Sequence, residues 1–204
     1  MARKTGSVGE ETAELILKES LALFARHGYA AVSMRQIAGA VGVQASAIYQ
    51  YFPTKQAILV EVLVGHMNKL LEAWEQHVAE EAGPENPIDR LIQFTRFHIG
   101  YHIKRPDEVF ISYMELRALE EDGFKQLERL RKKYENSLRE ILISGASEGV
   151  FKIEDAHVSS MAVLSMITGV NTWFRSGGRL SQKKISNLYV DMVLGAVGAS
   201  KEHQ

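Results

Sequence analysis

The stretch Ser33–Lys55, SMRQIAGAVGVQASAIYQYFPTK, constrains this chain more than any other segment. Behind Ser33, a residue suited to cap a helix, Met34, Ile37, Ala38 and Val41 recur at helical spacing. Gly42 then breaks the pattern and a second short helix follows. The spacing predicts a helix-turn-helix in which Val43, Ala47 and Ile48 turn inward and Ala38 is small enough to let the helices close. Gln44, Ala45, Ser46, Tyr49 and Gln50 are left facing outward. No Asp or Glu occurs between Ser20 and Val60, whereas Arg26, Arg35 and Lys55 do. Such a surface suits a polyanion such as DNA, because a carboxylate near phosphate costs binding energy and a cation contributes it.

The formal net charge of the 204 residues is −1, but it is unevenly spread. Residues 1–60 carry Arg3, Lys4, Lys18, Arg26, Arg35 and Lys55 against Glu10, Glu11, Glu14 and Glu19, a net +2, which leaves −3 for the rest. A basic end on an acidic remainder points to one nucleic-acid module and one module with another task. The absence of cysteine excludes a disulfide framework and a thiolate zinc site. MARKTGSVGE lacks an apolar stretch after its basic residues, so no signal peptide is expected. No apolar run reaches the ~18 residues needed to span a bilayer, so no membrane partner is expected and the cytoplasm is the default compartment.

Helical periodicity runs throughout, predicting an all-α fold of about nine helices. A first helix carries Leu17, Leu21 and Phe24 and stops at Gly28. The helix-turn-helix follows, then a long helix from Lys55 to about Ala82, capped by Thr54. Gly83-Pro84 and Pro87 mark the next junction. Further helices are expected over 88–104, 107–119, 122–148, 155–176 and 181–199. The domains are expected at 1–54, the helix-turn-helix unit, and 55–204, joined rigidly through Tyr51-Phe52-Pro53 without a tether.

Within the first domain, Gln44 and Gln50 can offer amide donor–acceptor pairs to adenine edges, and Ala45 can touch a thymine methyl. Tyr49, Ser33 and Lys55 suit phosphate, which sets register without reading sequence. Arg35 can reach a guanine or a phosphate. Singly, Tyr49 would be a packing residue and Gln50 ordinary surface; the argument rests on their combination with the turn glycine and the missing acids.

Residues 15–60 resemble the N-terminal domain of the TetR family of bacterial transcriptional regulators. The matching pieces are Phe24, Gly28-Tyr29, Ile37-Ala38, Val41-Gly42-Val43, Ile48-Tyr49, Tyr51-Phe52 and Lys55. The resemblance implies that Ser33, Arg35, Gln44, Ser46, Tyr49, Tyr51 and Lys55 lie near DNA. It also implies a dimer whose remaining helices hold a small-molecule effector. The C-terminal half is similar to the acyl-CoA-responsive branch through Tyr113-Met-Glu115-Leu116-Arg117, Leu130-Arg131-Lys-Lys-Tyr134, Glu148-Gly149-Val-Phe151 and Gly178-Arg179-Leu180-Ser181.

An acyl-CoA needs an apolar tunnel and cations for its phosphates. Phe97, Tyr101, Phe110, Tyr113, Met114 and Trp173, with Phe94 and Met166, are candidate lining residues; Arg117, Arg175 and Arg179 are candidate cations. Aromatics at helical spacing are also what a plain core would show. For a homodimer, Ile185, Leu188, Tyr189, Met192 and Ala196 form one apolar stripe, and Ala162, Ser165 and Gly169 give the preceding helix a face for close approach.

A different class is a helical-bundle enzyme or thioester-binding protein using His98, His102 and Glu115 as acid–base groups. His98 and His102 stand at i, i+4, and Glu154-x-x-His157 has the spacing of half a di-iron site. No second Glu-x-x-His, phosphate loop or Gly-x-Ser-x-Gly elbow accompanies them, so neither metal nor cofactor is expected.

Overall fold

Five side-chain caps set where the main helices begin. Ser33 Oγ accepts from the Gln36 N–H at 3.3 Å while the Gln36 side chain accepts from the Ser33 N–H at 2.8 Å, a reciprocal capping box. Thr54, Asn86, Asp155 and Ser181 likewise accept from the N–H three residues on. The computed structural model describes residues 5–80 and 86–199. In order, the helices are α1 (Thr5–His27), α2 (Met34–Val41), α3 (Ala45–Ile48), α4 (Lys55–Glu80), α5 (Pro87–Ile103) and α6 (Pro106–Met114). A 3-10 turn (Leu116–Ala118) precedes α7 (Glu121–Ser147), α8 (Ala156–Thr168), α9 (Val170–Trp173) and α10 (Gln182–Ala196). Among the described residues there is no strand, and the chain is all-α as expected. The expected Ala82 end of α4 and Gly83-Pro84 lie outside the described residues.

Packing divides the chain into two compact units, Met1–Asn68 with Asp107–Arg129, and Lys69–Pro106 with Leu130–Gln204. In the first unit, Ile16, Phe24, Ile37, Ile48, Ile58 and Leu59 are fully buried. Gly123 draws α7 against α4 there, since a Cβ at that position would meet Val60 Cγ2 at 2.6 Å. In the second unit the core runs through Leu91, Phe94, Leu138, Leu142, Ile167 and Val193. Phe151 closes over α7, where a side chain at Gly145 would strike its ring.

Three helices are shorter than their periodicity suggests. The helix expected over 107–119 stops at Met114, because Glu115 leaves helical geometry (φ −100°, ψ 7°) and its carboxylate accepts from the Tyr29 N–H. The helix expected over 155–176 ends at Trp173, after a break at Gly169, where Phe174 turns extended. The last helix ends at Ala196, since Gly198 takes positive φ and the Val197 carbonyl accepts from the Lys152 N–H.

The second unit buries a polar network in its core. His98 Nδ1 lies 3.2 Å from the Tyr134 hydroxyl and Nε2 lies 2.9 Å from that of Thr168. The His102 ring stacks on it at 3.9 Å, and His102 Nδ1–H donates to the His98 carbonyl at 2.8 Å. Burial pushes His102 down to about 4, and burial with the neighbouring His102 holds His98 well below the usual histidine range. Both rings are therefore neutral in the native state near pH 7, while the unfolded chain protonates them as pH falls through about 6.5. Their contribution is complete above that pH and is lost as pH drops from about 6.5 towards 4, by about 3 kcal/mol for His102 alone. Urea midpoints taken from about pH 7 to about pH 4.5 should fall steeply, and less so for His102→Gln.

Candidate nucleic-acid interface

The pair α2–α3 is set by its turn. Gly42 adopts φ 79°, and the N–H groups of Gly42 and Val43 bond back to Gly39 and Ala38. That geometry buries Ile37, Ala38 and Ile48, with Val43 and Ala47 half-buried beside them. Ser33, Arg35, Gln44, Ser46, Tyr49, Gln50 and Tyr51 are exposed and Ala45 half-exposed; Tyr49 keeps 53% of its surface although it follows a fully buried residue. An apolar inner face and a polar, acid-free outer face therefore share four residues of helix and its flanks.

Lys55 is placed differently from the others. Its ammonium turns inward, donating to the carbonyls of Tyr29 at 2.8 Å and Val32 at 2.7 Å, and lies 4.2 Å from the centroid of the Tyr29 ring. The Tyr29 ring meets Phe24 edge-on at 5.3 Å. Gln56, with its amide oriented to satisfy all its neighbours, donates to the Tyr29 hydroxyl at 3.0 Å and the Ala118 carbonyl at 3.1 Å, and accepts from the Glu120 N–H at 2.6 Å. Burial first, then Glu120 and Glu115, raises the Tyr29 phenol above its ordinary value, so it stays protonated. Sequence reasoning missed this junction. Glu115 stands 86 residues from Tyr29, and no local pattern signals such a pairing.

The candidate effector residues fall into both units. In the second, Phe97 and Tyr101 stack at 5.6 Å within an aromatic cluster containing Trp74 and Phe94, and the Arg105 guanidinium covers Tyr101 at 3.7 Å. Trp173 and Arg175 are exposed at the end of α9, Trp173 facing Tyr189 at 6.4 Å. In the first unit, Phe110, Tyr113, Met114 and Arg117 are all exposed, Met114 to 61%. An open cleft of about 680 Å³ lies beside Gln56 in that unit, bordered by Glu61, Glu120, Glu121 and Asp122. Its carboxylates would repel the phosphates of a CoA.

On α8 and α10, Val158, Met161, Leu188, Met192 and Ala196 are exposed, whereas Ile185 of the same sequence stripe is buried in the chain's own core. The acid–base trio of the alternative reading falls into both units. His98 and His102 are buried in the second unit with lowered basicity, and the Glu115 carboxylate holds a backbone N–H in the first. His157 pairs with Glu135 at 2.9 Å, while Glu154 is exposed. Among the described residues no helix is long and apolar enough to cross a membrane.

Known proteins share both halves of this arrangement. The family model described as "Bacterial regulatory proteins, tetR family" matches residues 16–62, and that described as "Tetracyclin repressor-like, C-terminal domain" matches residues 84–197. The HTH-type transcriptional repressor KstR2 of Mycobacterium tuberculosis is 25% identical over 198 residues, covering 97% of this chain and 98% of that protein. The TetR family transcriptional regulator PfmR from Thermus thermophilus shares 29% identity at a TM-score of 0.77, covering 88% of this chain and 97% of PfmR. AibR, solved with isovaleryl coenzyme A and operator DNA, shares the fold at a TM-score of 0.78 and 24% identity, covering 93% of this chain and 100% of AibR.

The turn geometry generates a clean test. Nothing lies within 4 Å of a Cβ built on Gly42, so Gly42→Ala should cost only the strain of its left-handed backbone, about 1 kcal/mol in urea unfolding. A much larger loss would reveal packing at the turn, and no loss would contradict the positive φ.

Proposed function

Because this chain belongs to the tetR family of bacterial regulatory proteins, we propose that it is a ligand-responsive transcriptional repressor that binds a pseudo-palindromic operator as a homodimer. Residues 1–54 read DNA, and residues 55–204 hold the effector and the partner subunit. The observation that carries the reading is the α3 surface: exposed Gln44, Ser46, Tyr49 and Gln50, with Ala45 among them, lie directly over a buried Ile48 in a segment without carboxylates. Gln44, Ala45 and Gln50 address base edges; Ser33, Arg35, Ser46, Tyr49 and Tyr51 address the backbone. Lys55, expected on a phosphate, serves in this proposal as an internal brace, since two of its three donors are committed to carbonyls.

One α3 reads few base pairs, so two copies must face successive major grooves, roughly 34–36 Å apart. The apolar surface on α8 and α10 supplies the partner contact, with two helices from each subunit forming a four-helix bundle. Met192, 54% exposed, can be changed without disturbing the subunit's own core. Met192→Asp should therefore keep the helical content and give monomers in sedimentation velocity, because the charge would be buried unpaired at the interface. A variant that sediments as an undisturbed dimer would move the interface elsewhere.

The effector class proposed is an acyl-CoA. Support comes from the aromatic cluster around Phe97 and Tyr101, the cation Arg175 in the same unit, and AibR, which shares the fold and holds isovaleryl coenzyme A. The helix α4 runs unbroken from Lys55 to Glu80, so a ligand that shifts it displaces the DNA-reading end. Release requires that the ligand favour the non-binding state by a few kcal/mol. Mobility shift with DNA upstream of the chain's own gene should show a complex that Tyr49→Phe weakens on all sequences and Gln50→Ala redirects in base preference. Titrating that complex with acyl-CoAs of increasing chain length should release it. Retention throughout, with no heat of binding, would remove this effector class alone.

A further inference from the structure

The turn between α6 and α7 touches the connection between α1 and α2 at two points. Gly28 ends α1 in the left-handed conformation, its N–H bonded to the Phe24 carbonyl at 2.9 Å. The next N–H, that of Tyr29, is taken by the Glu115 carboxylate at 2.9 Å. A carboxylate at this place faces the negative end of the α1 dipole, where a cation is the favoured neighbour. The bond satisfies the Tyr29 N–H, yet its acceptor comes from a residue 86 positions away, so it ties the end of α1 to a distant turn. The other end of the turn is held by Gln56, which bonds the Ala118 carbonyl and the Glu120 N–H while also bonding the Tyr29 hydroxyl. Tyr29 is thus gripped at its backbone by one end of the 115–120 turn and at its phenol through the residue that holds the other end.

Tyr29 in turn positions α2. Its carbonyl and that of Val32 share the Lys55 ammonium, and the next residue, Ser33, caps α2. A rotation or loss of the 115–120 turn would act on the 29–33 connection and so on α2 and α3, without needing any change in their own packing. The segment Asp107–Arg129 belongs to the same compact unit as residues 1–68, so the whole chain of contacts lies within one unit.

We propose that the 115–120 turn is a latch: Glu115 and Gln56 fix Tyr29 and with it the entry to the DNA-reading helices, so that these two side chains set operator affinity without touching DNA. Glu115 is a positioning residue in this scheme and touches no DNA. The inference rests on the DNA-binding reading above. Linkage makes the test reciprocal: if the latch favours operator binding, operator binding must favour the latch.

The probe is the upstream DNA fragment that the wild-type protein shifts, with hydrogen exchange followed by mass spectrometry on peptides covering 27–33 and 115–120. In the wild type, adding the fragment should slow exchange in both peptides. Glu115→Ala, with unchanged helical content by circular dichroism, should bind the fragment about tenfold more weakly and lose the DNA-dependent protection at 115–120. Glu115→Gln keeps an acceptor for the Tyr29 N–H and should restore both. Should Glu115→Ala fail to fold, Gln56→Ala opens the other grip and should lower affinity in the same direction. If exchange at 115–120 is the same with and without DNA in the wild type, or if Glu115→Ala matches the wild type in affinity and protection, the latch is overturned while DNA binding stands. A wild-type protein that shifts no fragment overturns the DNA-binding reading and the latch with it.

Discussion

The helix-turn-helix end of this molecule depends on one ammonium group. Lys55 Nζ supplies donors to two carbonyls of the α1–α2 connection and covers the Tyr29 ring, so a segment without helical hydrogen bonds of its own acquires a fixed path. Backbone carbonyls removed from water need such partners, and a charged donor gives a stronger bond than a neutral one. Because Lys55 is also the first residue of α4, the same side chain joins the connection before α2 to the helix that follows α3. The fixed α1–α2 connection, the αL turn at Gly42 and the buried Ile48 then leave little freedom in how α3 presents its outer residues.

The second unit is stabilised by different chemistry. Its interior places two neutral histidines, a tyrosine and a threonine among large apolar groups, each ring nitrogen of His98 meeting a hydroxyl. Such a network specifies a single arrangement of α5, α7 and α8 when every member is satisfied, and becomes a liability when a proton is added. Outward, the same unit shows apolar side chains on α8 and α10, Val158 being 63% exposed. One face thus serves the chain's own core, and the other is the surface assigned above to a second copy.

Features set by neighbours in sequence were legible before the structure. The cap at Ser33, the stop at Gly28, the turn at Gly42 and the inward Ile48 follow from residue type and spacing over a few positions. The stripe on α10 was legible only as a period: Ile185 and Met192 lie on it together, yet one is buried within the subunit and the other is exposed. Periodicity cannot separate two adjoining apolar faces of one helix. The early end of α6 and the Tyr29–Glu115 bond were illegible, because their cause is a contact between residues 86 positions apart. For the same reason Glu115 resembled an acid–base candidate in sequence and proves to be a hydrogen-bond acceptor for the backbone. The candidate effector residues share a chemical type but fall into both compact units, which composition alone does not reveal.

The most direct measurement is the salt dependence of operator binding by Lys55→Met, a variant that keeps the length of the side chain and removes its charge and donors. With Lys55 as an internal brace, affinity should fall because the 29–33 connection loses its support, while the slope of log K against log salt should match that of the wild type. A slope reduced by about one unit would place the ammonium on a phosphate and contradict the account.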